Sequence, residues 1–238
     1  MGLGTLARLE TTTMLTALYL FCATGALALG VFSLRRLVTA RTLAAMLILP
    51  TVFALPYDSL VIALGRFIGE GALLIALNWL RFLLHVLTLP ALVVALALLA
   101  RGAGVRWASH PAALPSAVLL TGAVLAAGVF GELVGLNLAP QYRSDVLLYT
   151  HAHPVGPPPG AIMLLVASLV YGGAIGLHAR WPWIALAALY TILVQAVPDA
   201  GLRGSLVNTG EVLILGALLR AEQCFATPAL SVPTSVGT

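Results

Sequence analysis

No lysine occurs among the 238 residues; all 12 basic residues are arginine. Chemistry that runs through a lysine amine is therefore excluded, which removes both a retinal Schiff base and pyridoxal phosphate. Charge of either sign is scarce, at 8% of the chain against about 25% in soluble domains. The arginines are scattered between apolar runs and form no basic block, so no nucleic acid partner is expected. Cys22 and Cys224 stand too far apart for a CxxC motif and make no disulfide framework. There is no HExxH and no nucleophile elbow, and Gly65, Gly69 and Gly71 do not fit a phosphate-binding glycine loop.

What remains is hydrophobic: 61% of the residues are apolar. Such a chain cannot build a solvated surface, and membrane lipid must be its solvent. At about 20 apolar residues per span, the expected fold is all-α, a polytopic transmembrane helix bundle of about seven spans. The apolar runs place them at 14–32, 43–64, 78–100, 114–137, 160–180, 181–198 and 205–221, the last short enough to be re-entrant. Residues 1–222 form one transmembrane domain, and 223–238, rich in Thr, Ser and Pro, read as a disordered cytoplasmic tail. The first run is longer than a signal peptide's apolar core of roughly 7–15 residues, and Arg35 and Arg36 follow it, as suits a retained span.

Counting arginines sets the orientation. With the N-terminus outside and the C-terminus cytoplasmic, Arg35, Arg36, Arg41, Arg101, Arg106, Arg180 and Arg220 lie inside, and Arg8, Arg66, Arg81, Arg143 and Arg203 outside. An integral protein of the cell (inner) membrane is the expectation. Residues 65–77 read as an interfacial hairpin, and 138–159, with His151, His153 and a triple proline, as a long loop on the outer side. Gly131/Gly135 and Gly172/Gly176 have the small-xxx-small spacing that permits close helix approach.

Ionisable groups inside a span are expensive and are functional candidates by default. Asp58, Arg81, His85, Glu132, Asn208 and Glu211 all fall toward the outer ends of their spans; of the ionisable candidates only His178, read as an inner-interface residue, falls at an inner end, and the inner halves of spans two, three, four, six and seven carry no carboxylate. The expectation is an outward-facing polar pocket over an apolar floor, without the full-depth polar relay of a pump or channel. Arg81 and His85, four apart, share a helix face. His85 near carboxylates can act as a base or a metal ligand, and His85, Glu132, His151 and His153 are the candidates for zinc or a similar metal. Plainer roles exist for each: Asp58 follows Pro56 and can cap a helix, Arg81 can snorkel, and His85 can bond a carbonyl.

Trp79-Leu-Arg81-Phe82, Thr88-Leu-Pro90 and Leu96-Ala-Leu-Leu99, with Pro50 and Tyr57 in the preceding span, resemble the third and second helices of microbial (type 1) rhodopsins over residues 41–100. The resemblance implies a seven-helix, rhodopsin-like arrangement with Arg81 in a pocket. The family's counterion falls on Leu84, its retinal lysine is missing, and Glu211 lies near that lysine's place, so no light-driven activity is implied. The leading functional expectation is a membrane protein binding a small or lipid-like ligand. A metal-dependent enzyme acting on lipid at the outer leaflet is the alternative, and a transporter the second. Convergence of the histidine and carboxylates within a few ångströms would mark the enzyme; a cavity alone would suit the binding protein.

Overall fold

The computed structural model describes residues 3–153 and 156–226. The architecture is an all-α bundle of helices α1 (Leu3–Ala40), α2 (Leu43–Ile68), α3 (Ala72–Gly102), α4 (Ala113–Gly128), α5 (Pro159–Ala179), α6 (Trp183–Leu193) and α7 (Ala200–Phe225). One antiparallel hairpin, β1 (Leu138–Arg143) and β2 (Val146–His151), interrupts it between α4 and α5. Among the described residues, six helices are long and apolar enough to cross a membrane: Met14–Thr39 within α1, α2, α3, Ala113–Leu133, α5 and α7. Phe32, Leu119 and Leu177 are exposed on the outside of the bundle, as expected of side chains that meet lipid.

The spans run longer than their apolar cores. Thr42 caps α2 by accepting from the Ala45 amide at 3.0 Å, and the helix continues through Arg66 to Ile68. Only Gly69–Gly71 separate it from α3, so residues 65–77 are mostly helix and not an interfacial hairpin. The shortest apolar helix is α6, not the seventh: with its terminal turn it covers only Trp183–Ala196. At about 1.5 Å per residue this is roughly 21 Å, less than the hydrocarbon core of about 30 Å. By contrast α7 runs 26 residues to Phe225, past the start expected for the tail. Of that tail, residues 227–238 lie outside the described residues.

Residues 138–151 form a strand hairpin within the stretch 138–159 that the sequence suggested was a loop. The run Val146-Leu-Leu-Tyr-Thr150 is rich in strand-forming residues, and the two-residue turn Ser144-Asp145, with Ser144 at φ 51°, reverses the chain. The β2 strand is buried on both faces. Val146 and Leu148 pack with Leu15, Tyr19, Ile62 and Ala63, while Leu147 and Tyr149 pack with Val61 and Leu74. Gly65 of α2 makes this possible, because any Cβ there would collide with the Leu147 carbonyl oxygen.

The hairpin is also pinned at its tip. Asp145, 6% exposed, accepts from the Leu15 and Thr16 amides of α1 at 3.2 and 2.8 Å and faces Arg66 at 3.8 Å. The Tyr142 hydroxyl donates to Glu70 in the α2–α3 turn. Away from the hairpin, Ile48, Val52, Leu92, Leu96, Leu99, Leu215 and Leu218 form the continuous apolar core. Of the two glycine pairs, Gly172 and Gly176 do face α6 closely, at Ile184 and Pro182. Gly131 and Gly135 have nothing within 4 Å of a Cβ, so the spacing there serves no helix contact.

Candidate functional site

The polar residues of four helices meet at the hairpin end of the bundle. From α2 comes Asp58, placed two residues after Pro56 and one after Tyr57, whose hydroxyl donates to the Leu77 carbonyl at 2.9 Å and ties α2 to α3. From α3, Arg81 and His85 project one turn apart. Their atoms approach one Asp58 oxygen: Arg81 Nε at 3.6 Å and His85 Nδ1 at 3.8 Å. From α7, Asn208 Nδ2 donates to the other Asp58 oxygen at 3.0 Å and to Ser59 Oγ at 2.9 Å. Asp58 and Asn208 are 4% and 7% exposed. A carboxylate buried this deeply is tolerable because it is paired and hydrogen-bonded.

His85 Nδ1 also lies 3.1 Å from the Arg81 carbonyl oxygen. Both neighbours of Nδ1 are acceptors, so that nitrogen carries a proton, and Nε2 is left for a ligand. Orientation of one ring nitrogen by a carbonyl or carboxylate is the usual support of a metal-binding histidine. Ligand atoms of Asp58, His85 and Glu211 lie within 4.8 Å of one another and could hold a metal ion. Glu211 Oε2 is buried without a hydrogen-bond partner. With Thr51, whose hydroxyl is also buried and unpartnered, and with His85, it lines a slot that continues between Leu89, Leu92, Leu215 and Leu218.

Above this cluster is a cavity of about 800 Å³, roofed by the hairpin. Asp58, Arg81, His85 and Asn208 lie along its inner side, and Glu132, Gln195 and Arg203 line it from α4, the end of α6 and α7. Glu132 sits in a π-helical turn, Val129–Leu133, that ends the fourth span; such turns recur at functional sites. The roof contributes Gln141, Arg143, Leu148, Thr150 and His151. Burial lowers the Arg143 pKa, an effect offset by Tyr19 and reinforced by the positive charges of Arg81 and Arg203.

Of the residues singled out from sequence, Asp58, Arg81, His85, Glu132 and Asn208 line this one cavity, and Glu211 joins Asp58 and His85 from beneath. His151 lines the cavity but stands outside the Asp58–His85–Glu211 group, as does Glu132. His153 does not line it; its amide donates to His151 Nδ1 at 3.1 Å. Sequence reasoning missed Tyr19, Gln141, Arg143, Thr150 and Arg203 as lining residues and Asp145 as the anchor of the roof. The β-rich run after Ser144-Asp145 was the available signal for the hairpin residues. A further buried acid, Glu222, lies at the opposite end, where it accepts from Thr42 Oγ1 at 3.1 Å and faces Arg36 at 3.7 Å. No protein-family model and no curated protein matches this chain.

Proposed function

We propose that this integral membrane protein binds a small or lipid-like ligand in the cavity beneath the hairpin, from the outer side of the cell membrane, with the N-terminus outside and the C-terminus cytoplasmic. The observation that carries the reading is the cavity itself: about 800 Å³, with polar side chains of Asp58, Arg81, His85 and Asn208 on one side and a β-hairpin over it. That volume is in the range of small-molecule sites, roughly 300–1,000 Å³. The apolar core between this cluster and the far end of the bundle supports one-sided access. Within this proposal the kinship of residues 41–100 with microbial rhodopsins is one of scaffold, with Arg81 as the shared pocket residue.

Gly131 lines the cavity, and a Cβ at this position meets nothing within 4 Å. Gly131→Trp should fill the space without disturbing packing. Native mass spectrometry of protein purified from membranes should find a bound amphiphile in the wild type and lose it in this variant. An adduct of equal occupancy in both would place the ligand elsewhere.

A metal-dependent enzyme acting on lipid at the outer leaflet is the second reading, favoured by the convergence of Asp58, His85 and Glu211 within 4.8 Å. A zinc-like ion held by His85 and the two carboxylates would supply an activated water. Elemental analysis of the purified protein, with His85→Ala as control, tests it. Near-stoichiometric metal lost in the control supports this reading, and no metal in either rejects it.

A further inference from the structure

The cavity lining holds three arginines, Arg81, Arg143 and Arg203, against two carboxylates, Asp58 and Glu132. Arg81 is committed to Asp58 at 3.6 Å. The other two have no carboxylate: among the described residues, no ion pair includes Arg143 or Arg203. Each is held by a neutral acceptor instead. Arg143 Nη2 donates to Gln141 Oε1 at 2.9 Å, within the same strand, and Arg203 Nη1 donates to the Val197 carbonyl at 2.9 Å. Those bonds fix the two guanidinium groups at the cavity edge and use only some of their donors, five on each arginine. The groups come from different parts of the fold, the hairpin roof and the first turn of α7, and the two parts meet here: Arg143 Nη1 lies 3.7 Å from where a Cβ on Gly204, the residue after Arg203, would stand. Two half-buried guanidinium groups without a carboxylate partner thus line one cavity.

We infer that Arg143 and Arg203 form an anion-recognition subsite that takes the carboxylate or phosphate headgroup of an amphiphile, whose apolar part lies in the cavity below. This rests on the ligand-binding reading above and names the ligand's chemistry. The remaining walls fit the apolar part: Ile62, Phe82, Ala127, Leu148 and Val207 line the same space. Two forked guanidinium groups suit a planar carboxylate or a tetrahedral phosphate. An anion between them also bridges roof to bundle, so that a bound headgroup holds the hairpin down.

The test is equilibrium binding of three probes to the full chain in non-ionic detergent: a long-chain fatty acid, a long-chain alkyl phosphate and the fatty alcohol of the same length. The wild type should bind at least one anionic probe about tenfold or more tightly than the alcohol, as expected for charge-assisted hydrogen bonds. The tighter of the two anions identifies the headgroup. Arg143→Gln with Arg203→Gln should erase that preference, and thermal unfolding in detergent reports whether the double variant is folded. Should the double variant bind nothing, Arg143→Gln alone decides, since the Arg143 side-chain hydrogen bond to Gln141 is internal to the hairpin. Equal binding of acid, phosphate and alcohol by the wild type, or a preference that survives substitution, overturns the anion subsite and leaves the cavity reading standing. Failure of all three probes to bind overturns both.

Discussion

Asn208 of α7 donates to Asp58 of α2 at 3.0 Å, joining residues 150 apart in sequence, while Arg81 approaches the opposite oxygen of the same carboxylate. One acid thus holds three helices at the inner side of the cavity. Replacing Asn208 by Ala leaves Asp58 and Ser59 each short of a buried donor, with an expected loss of about 1–3 kcal/mol. Replacing Asp58 by Ala strands Arg81, whose side chain is 11% exposed, and should cost more, about 3–5 kcal/mol. Thermal unfolding in detergent checks the order: Asp58→Ala below Asn208→Ala below wild type. The reverse order would show that Asp58 does not organise the cluster.

Gly65 is a stability switch for the roof. A methyl group there meets the Leu147 carbonyl, and backbone cannot step aside as a flexible side chain does. Gly65→Ala should lift β2 from α2 and raise amide exchange across Leu138–His151, with little change in α5 or α7. Unchanged exchange in the hairpin would show that the contact is slack.

Asp145 should matter as much from the other side. Its carboxylate serves two α1 amides and lies beside Arg66. Asp145→Ala leaves those amides without their acceptor, with an expected cost of about 1–3 kcal/mol and faster proteolysis within the hairpin. Asp145→Asn keeps the shape and an acceptor oxygen but loses the charge, and should fall between the two.

The Tyr142–Glu70 contact gives the hairpin a pH signature. Its hydrogen bond to Glu70 is the main cause that raises the Tyr142 pKa above its ordinary 10.0. The hydroxyl proton is what binds, so the contact contributes below that ordinary value and is lost as pH rises through the raised one. Phenolate absorbance of the wild type minus Tyr142→Phe should titrate above 10.0, the ordinary value, and Glu70→Gln should bring it back down. A titration indifferent to Glu70 would remove the contact as its cause.

Glu211 tests function against stability. Its Oε2 is buried without a partner, a cost that an unbranched apolar side chain avoids. Glu211→Met is expected to raise stability by about 1–3 kcal/mol and, under the metalloenzyme reading, to abolish metal uptake. A destabilised variant would mean that Glu211 serves packing rather than a site.

The apolar runs made the spans legible, and depth along them put Asp58, His85, Glu132 and Asn208 toward one end; in the structure these four line one cavity. Their convergence was not legible, because nothing in a span's hydrophobicity says which helices are neighbours. Helix α7 looked short for a physical reason: Arg203 and Asn208 face the cavity, and Glu211 lies just beneath it, so these polar residues thin an apolar run that is nonetheless helical throughout. The hairpin was hidden because both faces of β2 are covered, which erases the alternation by which a strand is usually found. Zinc-type ligands among His151 and His153 looked plausible from spacing, but the chain brings Glu211 to His85 from across the bundle instead.

The shortness of α6 bears on the surrounding bilayer. A helix of Trp183–Ala196, packed between the longer α5 and α7, is too short to match both lipid surfaces, and a bilayer can thin locally to meet a short span. Leu186, Leu189 and Leu193 are exposed along it, and Gln195 at its end borders the cavity. Such a dimple would bring acyl chains of one leaflet toward the cavity wall and, under the proposed ligand reading, give an amphiphile a sideways route from the membrane that avoids crossing water.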